Sequence, residues 1–342
     1  MFAQTPADEG SRRVDRMLGG RFEDHRLEAL ALGEALVDRV SSITHLSWYS
    51  TGACDFALDV TNGDDPPGLT AEERQIIGRD AVHVMTDLDR YLRAARTGDL
   101  IRMLLHTERG GLFALSVLRE QFLVAFGGTG GDAGTRASRD PAVHTIDAEL
   151  SRLANRLRET VNQGPADYGG WLGPSGPDLR AGLRDSRPTP PPPDAVAAAE
   201  VGFQAAVPGT RAATTAAVCR RYLDVDDLHY AAVCHAGRVE ATADILDDPR
   251  LARLFDGITP ERRRHFYAWL GQRIDSYVRI LVRAAHLALG SRVRRLVLDV
   301  EQGALYCYPV GRDRYLLGVT VDQQRMWAAD DKAALLARQL GG

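Results

Sequence analysis

VRRLVLDVEQGAL, residues 293–305, reads as a strand, a tight turn at Gly303 and the start of a second strand. An earlier stretch, IRMLLHTERGGLF at 101–113, lays over it with Arg102 on Arg294, Leu104 on Leu296 and Gly111 on Gly303. Identity between the two is low. Their surroundings give the match its weight, because the same order of elements extends outward from each.

In the first half, DHRLEALALGEALVDRVS (24–41) has helical periodicity, and ITHLSWYST (43–51) and CDFALDVTN (54–62) are strands joined at Gly52. A long helix follows, opened by a capping box of Thr70 and Glu73 and expected to close at Gly98. Its apolar face is Ile77, Val84, Leu88, Leu92 and Ala95. Three strands (IRMLLHTE, LFALSVLR, QFLVAFG) and the helix HTIDAELSRLANRLRETV complete this half. The second half repeats the order: the helix ATTAAVCRRYL, then HYAAVCHAG and RVEATADIL turning at Gly237. A long helix capped by Thr259 and Pro260 carries the stripe Phe266, Leu270, Ile274, Tyr277, Leu281 and Ala285 and ends at Gly290. RRLVLDVE, ALYCYPVG, RYLLGVTV and the helix ADDKAALLARQL follow. An eight-element order used twice implies two related domains. The expected division is a flexible N-terminus over 1–20, a first domain over 21–163, a Gly/Pro-rich linker over 164–209 containing RPTPPPPD, and a second domain over 210–342.

The composition, with 44% hydrophobic and 26% charged residues over 342, is that of a globular protein. A net charge of -4 argues against nucleic acid as the main partner. No apolar run approaches the roughly 20 residues of a membrane span, and the N-terminus lacks the apolar core of a signal peptide, so the expected location is cytoplasmic. Lys332 is the only lysine, which leaves no candidate for a phosphate-cradling or Schiff-base lysine beside a glycine loop. The cysteines Cys54, Cys219, Cys234 and Cys307 form no CxxC pair. The tightest metal-like cluster is His229, Cys234 and His235, but strand alternation sends the two histidines to one face and Cys234 to the other. The expectation is therefore no metal and no cofactor.

The element order α-β-β-α-β-β-β-α, the HAGRVEATA turn and the long helix before VRRLVLDVEQGALYCYPVGRDRYLLGVTV resemble the roadblock (dynein light chain) family. The resemblance covers both halves outside the linker and the first 20 residues, and is closer in the second half. It implies an α/β (α+β) chain of two tandem roadblock-like three-layer domains. Each would be a five-stranded antiparallel sheet, with the first and last helices on one face and the long helix on the other. Family members pair through the long helix and the strand after it, so two copies in one chain imply a built-in dimer, with Val84, Leu88, Leu92, Ile101, Tyr277, Leu281 and Val293 as pairing residues. Self-association between chains is the other arrangement that fits.

The glycine-rich loop FGGTGGDAGTRASRDP invites comparison with a dinucleotide fingerprint. Five residues separate Gly134 from the helix start at Asp140 and Pro141, and no second parallel strand follows, so the loop reads as a connector. No GxSxG, HExxH or Asp-rich metal loop occurs, and no catalytic residue is nominated. The resemblance implies a non-catalytic scaffold or regulator of a small Ras-like GTPase, like the bacterial GTPase-regulating proteins of the actinobacterial type. The rival readings are a small-ligand sensor and a structural subunit. Arg262, Arg263, Arg264 and His265, near Trp269 and Arg273, form the candidate partner surface, since arginine beside aromatic side chains is typical of recognition sites.

Overall fold

The computed structural model describes residues 12–20, 22–61, 69–128, 141–164, 166, 210–255 and 257–341. The glycine loop over 129–140 and the proline-rich linker over 167–209 lie outside the described residues.

Among the described residues, eleven strands form one mixed-length antiparallel sheet: β1 (Arg13–Leu18), β2 (Ile43–Ser50), β3 (Ala53–Thr61), β4 (Leu100–Thr107), β5 (Gly111–Leu118), β6 (Gln121–Gly127), β7 (Tyr230–His235), β8 (Arg238–Asp244), β9 (Val293–Val300), β10 (Gly303–Gly311) and β11 (Arg314–Thr320). Their spatial order is β1-β3-β2-β6-β5-β4-β9-β10-β11-β7-β8. From the central β4–β9 pair outward, the order of hairpin neighbours is the same in both directions. The strands belong to one continuous sheet rather than to two separate five-stranded sheets. Arg13–Leu18, expected to be flexible, is a sixth strand antiparallel to β3.

The α-helices among the described residues are α1 (Leu27–Arg39), α2 (Ala71–Ala94), α3 (Pro141–Thr160), α4 (Thr210–Arg220), α5 (Pro260–Leu289) and α6 (Met326–Gly341). One core lies beneath α1, α3, α4 and α6, and a second lies on the opposite face beneath α2 and α5. Each core runs unbroken through both halves. None of these helices is long and apolar enough to cross a membrane.

Local chemistry explains the boundaries. Thr70 and Glu73 form the reciprocal capping box that starts α2. Thr259 accepts from the Arg262 amide at the start of α5, and Gly290 ends that helix in the left-handed conformation. Gly98 is not the cap of α2. The helix closes at Ala95, and Arg96 takes the left-handed turn at φ 55°. The β2–β3 turn is Thr51-Gly52 and the β7–β8 turn is Ala236-Gly237. All four residues have positive φ, the geometry that lets a two-residue hairpin follow strand twist.

The two halves meet where β4 pairs with β9. Leu104 lies opposite Val297, with Met103 opposite Leu298 and Leu105 opposite Leu296. Opposed residues share a face, so Leu104 is the counterpart of Val297 and the local twofold passes between them. The sequence overlay that put Leu104 on Leu296 is therefore one residue out of register. Because side chains alternate, that slip moved every strand position to the wrong face. In the corrected register Arg102 matches Arg295.

Candidate interaction surface

The seam is extended beyond the strand ladder at both ends. The amides of Glu301 and Gln302 donate to the carbonyls of Asp99 (3.1 Å) and Thr97 (3.0 Å), and Ser291 Oγ donates to Thr107 Oγ1 (2.8 Å). On one face α2 and α5 pack together. The Tyr91 and Trp269 rings lie 4.9 Å apart, Phe266 is 5.8 Å from Trp269, and the Arg273 guanidinium sits 4.8 Å above the indole. Tyr277 is part of this cluster. Its pKa is pushed up to about 12 by burial, then by neighbouring Tyr91 and Asp87. On the other face α3 and α6 touch through His144 and Trp327, whose rings are 5.3 Å apart.

The expected pairing residues divide. Ile101 and Val293 lie on the paired strands, Val293 opposite Thr107. Val84, Leu88, Leu92 and Leu281 are fully buried in the core beneath the long helices, where they hold each helix to the sheet.

The arginine patch divides too. Arg263 is fully buried, and its guanidinium donates to the Arg96 carbonyl (2.8 Å) and to Gln302 Oε1 (3.2 Å), with the Phe255 ring 5.3 Å away. It ties α5 to the end of α2. Arg264 is bidentate to Asp244 at 2.7 Å and also reaches Asp247, an arrangement that holds its charge well above the usual arginine range. The first half has the same device: Asp59, the β3 counterpart of Asp244, meets Arg74 from the first turn of α2 at 3.1 Å. Arg264 thus anchors a helix start to a strand. Arg262, His265 and Arg273 are exposed, and with half-buried Trp269, Phe266 and Tyr91 they remain as an outward-facing basic and aromatic surface.

Beneath α3 and α6, directly at the seam, lies a buried ionic cluster invisible in sequence. Arg102 contacts Asp147 on α3 and Asp299 on β9, all three without solvent exposure. Its counterpart Arg295 contacts Asp330 on α6, which also accepts from Tyr308 Oη at 2.5 Å. Three carboxylates face two guanidiniums, so full ionisation leaves one excess negative charge. Burial raises Asp299 to about 7, against the pull of Arg102, and Asp147 is raised for the same reason. His106, opposite Arg295, is lowered to about 3 by burial and then by Arg295 and Arg294.

A second arrangement escaped the sequence reading. His45 Nδ1 is 2.6 Å from Asp59 Oδ1, and its Nε2 is 2.8 Å from Ser47 Oγ. The spacing is that of a hydrolytic triad. All three side chains are buried under α2, however, and the His45 ring stacks on Phe126 at 4.3 Å. Burial lowers His45 despite Asp59, so the ring stays neutral, donating from Nδ1 and accepting from Ser47. With no route to Oγ, the trio serves as internal hydrogen bonding. His229, once a candidate ligand, is likewise occupied: Nδ1 accepts from the Val321 amide (3.1 Å) and Nε2 faces the Val225 carbonyl (3.1 Å), while His235 is exposed.

No protein-family model matches the chain, and neither does any curated protein. Among solved structures the chain is similar to a roadblock/LC7 domain from Streptomyces avermitilis, at 18% identity over 38% of this chain and 95% of that domain, with a TM-score of 0.28. At that score the likeness carries no weight beside the strand order and register.

Proposed function

We propose that the chain is a non-catalytic interaction platform made of two tandem roadblock-like domains, over 21–163 and 210–342, paired within one molecule. The observation that carries this reading is the isologous β4–β9 pairing, reinforced by α2 against α5, because it matches the mode of pairing the family resemblance implies. Tethering keeps the partner domain at high effective concentration, so the pair persists on dilution. The partner is proposed to be a small Ras-like GTPase or a related switch protein in the cytoplasm. Its binding surface is proposed to include Arg262, His265, Trp269 and Arg273, a mixture of aromatic anchors and cations suited to a protein interface.

Affinity purification from the native cell tests this, run in parallel with GDP and with a non-hydrolysable GTP analogue. Enrichment of a small GTPase in one nucleotide state is the expected result, lost when Arg262 and Arg273 are both replaced by Ala. Absence of any GTPase in either state removes the partner assignment and leaves the paired architecture to be explained otherwise.

A further inference from the structure

Each half carries a groove between its long helix and the ends of its strands, and the two grooves occupy matching positions. In the first half it is large, about 820 Å³, and polar, and in the second it is about 300 Å³ and apolar. Counterpart positions show why. Asp89 in the first groove is replaced by Val282 in the second, Ser116 by Pro309, and Phe122 by Tyr315. The most telling exchange is Asp99 for Arg292.

In the first groove Arg93 bridges Asp89 at 2.8 Å and Asp99 at 3.2 Å. The second groove has lost that network. Val278, Val282, Val293 and Leu296 line it, and Cys307 lies in its wall with its thiol pushed far up by burial. Arg292 stands at the mouth without a carboxylate partner among the described residues. The other charged groups there are Asp313, which is exposed, Arg314, which is held by Glu240 at 2.9 and 3.0 Å, and Asp275, which is paired with Arg279. An apolar recess of this volume with an exposed cation at its edge, free of any carboxylate partner among the described residues, has the makeup of a small-molecule site. Water solvates its aliphatic walls poorly, and an anion would give Arg292 charge-assisted hydrogen bonds.

We infer that the second-half groove binds a small amphipathic anion, its apolar tail among Val278, Val282, Leu296 and Tyr315 and its carboxylate on Arg292. The site is separate from the proposed partner surface and does not depend on a GTPase.

Calorimetric titration of the full chain with octanoate, octanol and octylamine tests it. Octanoate should bind saturably and most tightly. Arg292→Gln should weaken octanoate about tenfold while leaving octanol nearly unchanged, since only the charged contact is removed. Val282→Asp, which restores the first groove's residue type, should weaken both. Val282 is 38% exposed, so the variant is expected to fold, and circular dichroism checks it. Three results overturn the inference: no saturable binding of octanoate, tightest binding of octylamine through Asp313, or octanoate binding that neither substitution alters.

Discussion

The two halves share a strand order but use it unequally, and the inequality separates what the architecture requires from what is free to change. Both halves anchor the long helix by an Asp–Arg pair, Asp59–Arg74 and Asp244–Arg264, and both place a glycine where that helix crosses a strand. Both put an arginine, Arg102 or Arg295, beneath the last helix at the seam. These recur because helix, sheet and seam must close in the same way twice. By contrast, among the described residues the first half adds an edge strand, Arg102 faces two carboxylates where Arg295 faces one, and the matching grooves are polar in the first half and apolar in the second. Two of these differences sit at a sheet end and a groove wall, where pairing imposes nothing, and the third lies inside the seam itself, where Asp299 of β9 meets Arg102.

The paired arginines provide the largest test. Arg102→Ala leaves Asp147 and Asp299 buried without a counter-charge, which is expected to cost about 3–5 kcal/mol in denaturant unfolding. Arg295→Ala abandons only Asp330, so it should cost less. An equal or greater loss at Arg295 would break the comparison.

The glycines come next. A Cβ at Gly78 would lie 2.1 Å from Tyr49 Oη, whereas one at Gly271 would lie 2.9 Å from Cys234 Sγ. Gly78→Ala is expected to destabilise by roughly 1–3 kcal/mol and Gly271→Ala by less, with Cys234→Ala restoring the latter. Thermal melts of the three variants decide it.

The pH dependence is smaller and has two limbs. Asp299 has a folded pKa raised to about 7, so its contribution is present at low pH and lost as pH rises through that value. Between pH 8 and 6.5 stability should therefore increase by on the order of 1 kcal/mol. His45, His106 and His229 have lowered folded values, so below about 6.5, where the unfolded chain takes up protons, stability should fall. Asp299→Asn should flatten the upper limb alone, and unfolding midpoints across pH 5–8 check this. The smallest effect is none: a fluorophosphonate probe should leave Ser47 unlabelled in the folded chain, since the hydroxyl is buried.

Sequence periodicity revealed the repeated elements because long amphipathic helices and apolar strands carry strong patterns. It missed β1, since RVDRML alternates charge with apolar residues over a short half-exposed edge and resembles a tail. The overlay slipped by one residue because apolar side chains occur on both faces of β4 and β9 (Leu104 and Leu105, Val297 and Leu298), which are buried on both sides and give alternation nothing to report. The arginine run at 262–264 looked like a single surface. Successive helical residues point about 100° apart, so one member entered the core, one met a strand and one reached solvent. The ionic cluster and the grooves join residues distant in sequence, and no local pattern announces them.

The most direct measurement of internal pairing uses Thr107 and Ser291, whose hydroxyl oxygens are 2.8 Å apart across the seam. The double variant Thr107→Cys with Ser291→Cys would be oxidised at low protein concentration and its mass determined without reductant. Pairing within one molecule predicts a cross-linked species with the mass of a single chain, 37.4 kDa, at every dilution. A cross-linked species of twice that mass would show that β4 meets β9 between chains and would contradict the built-in pair.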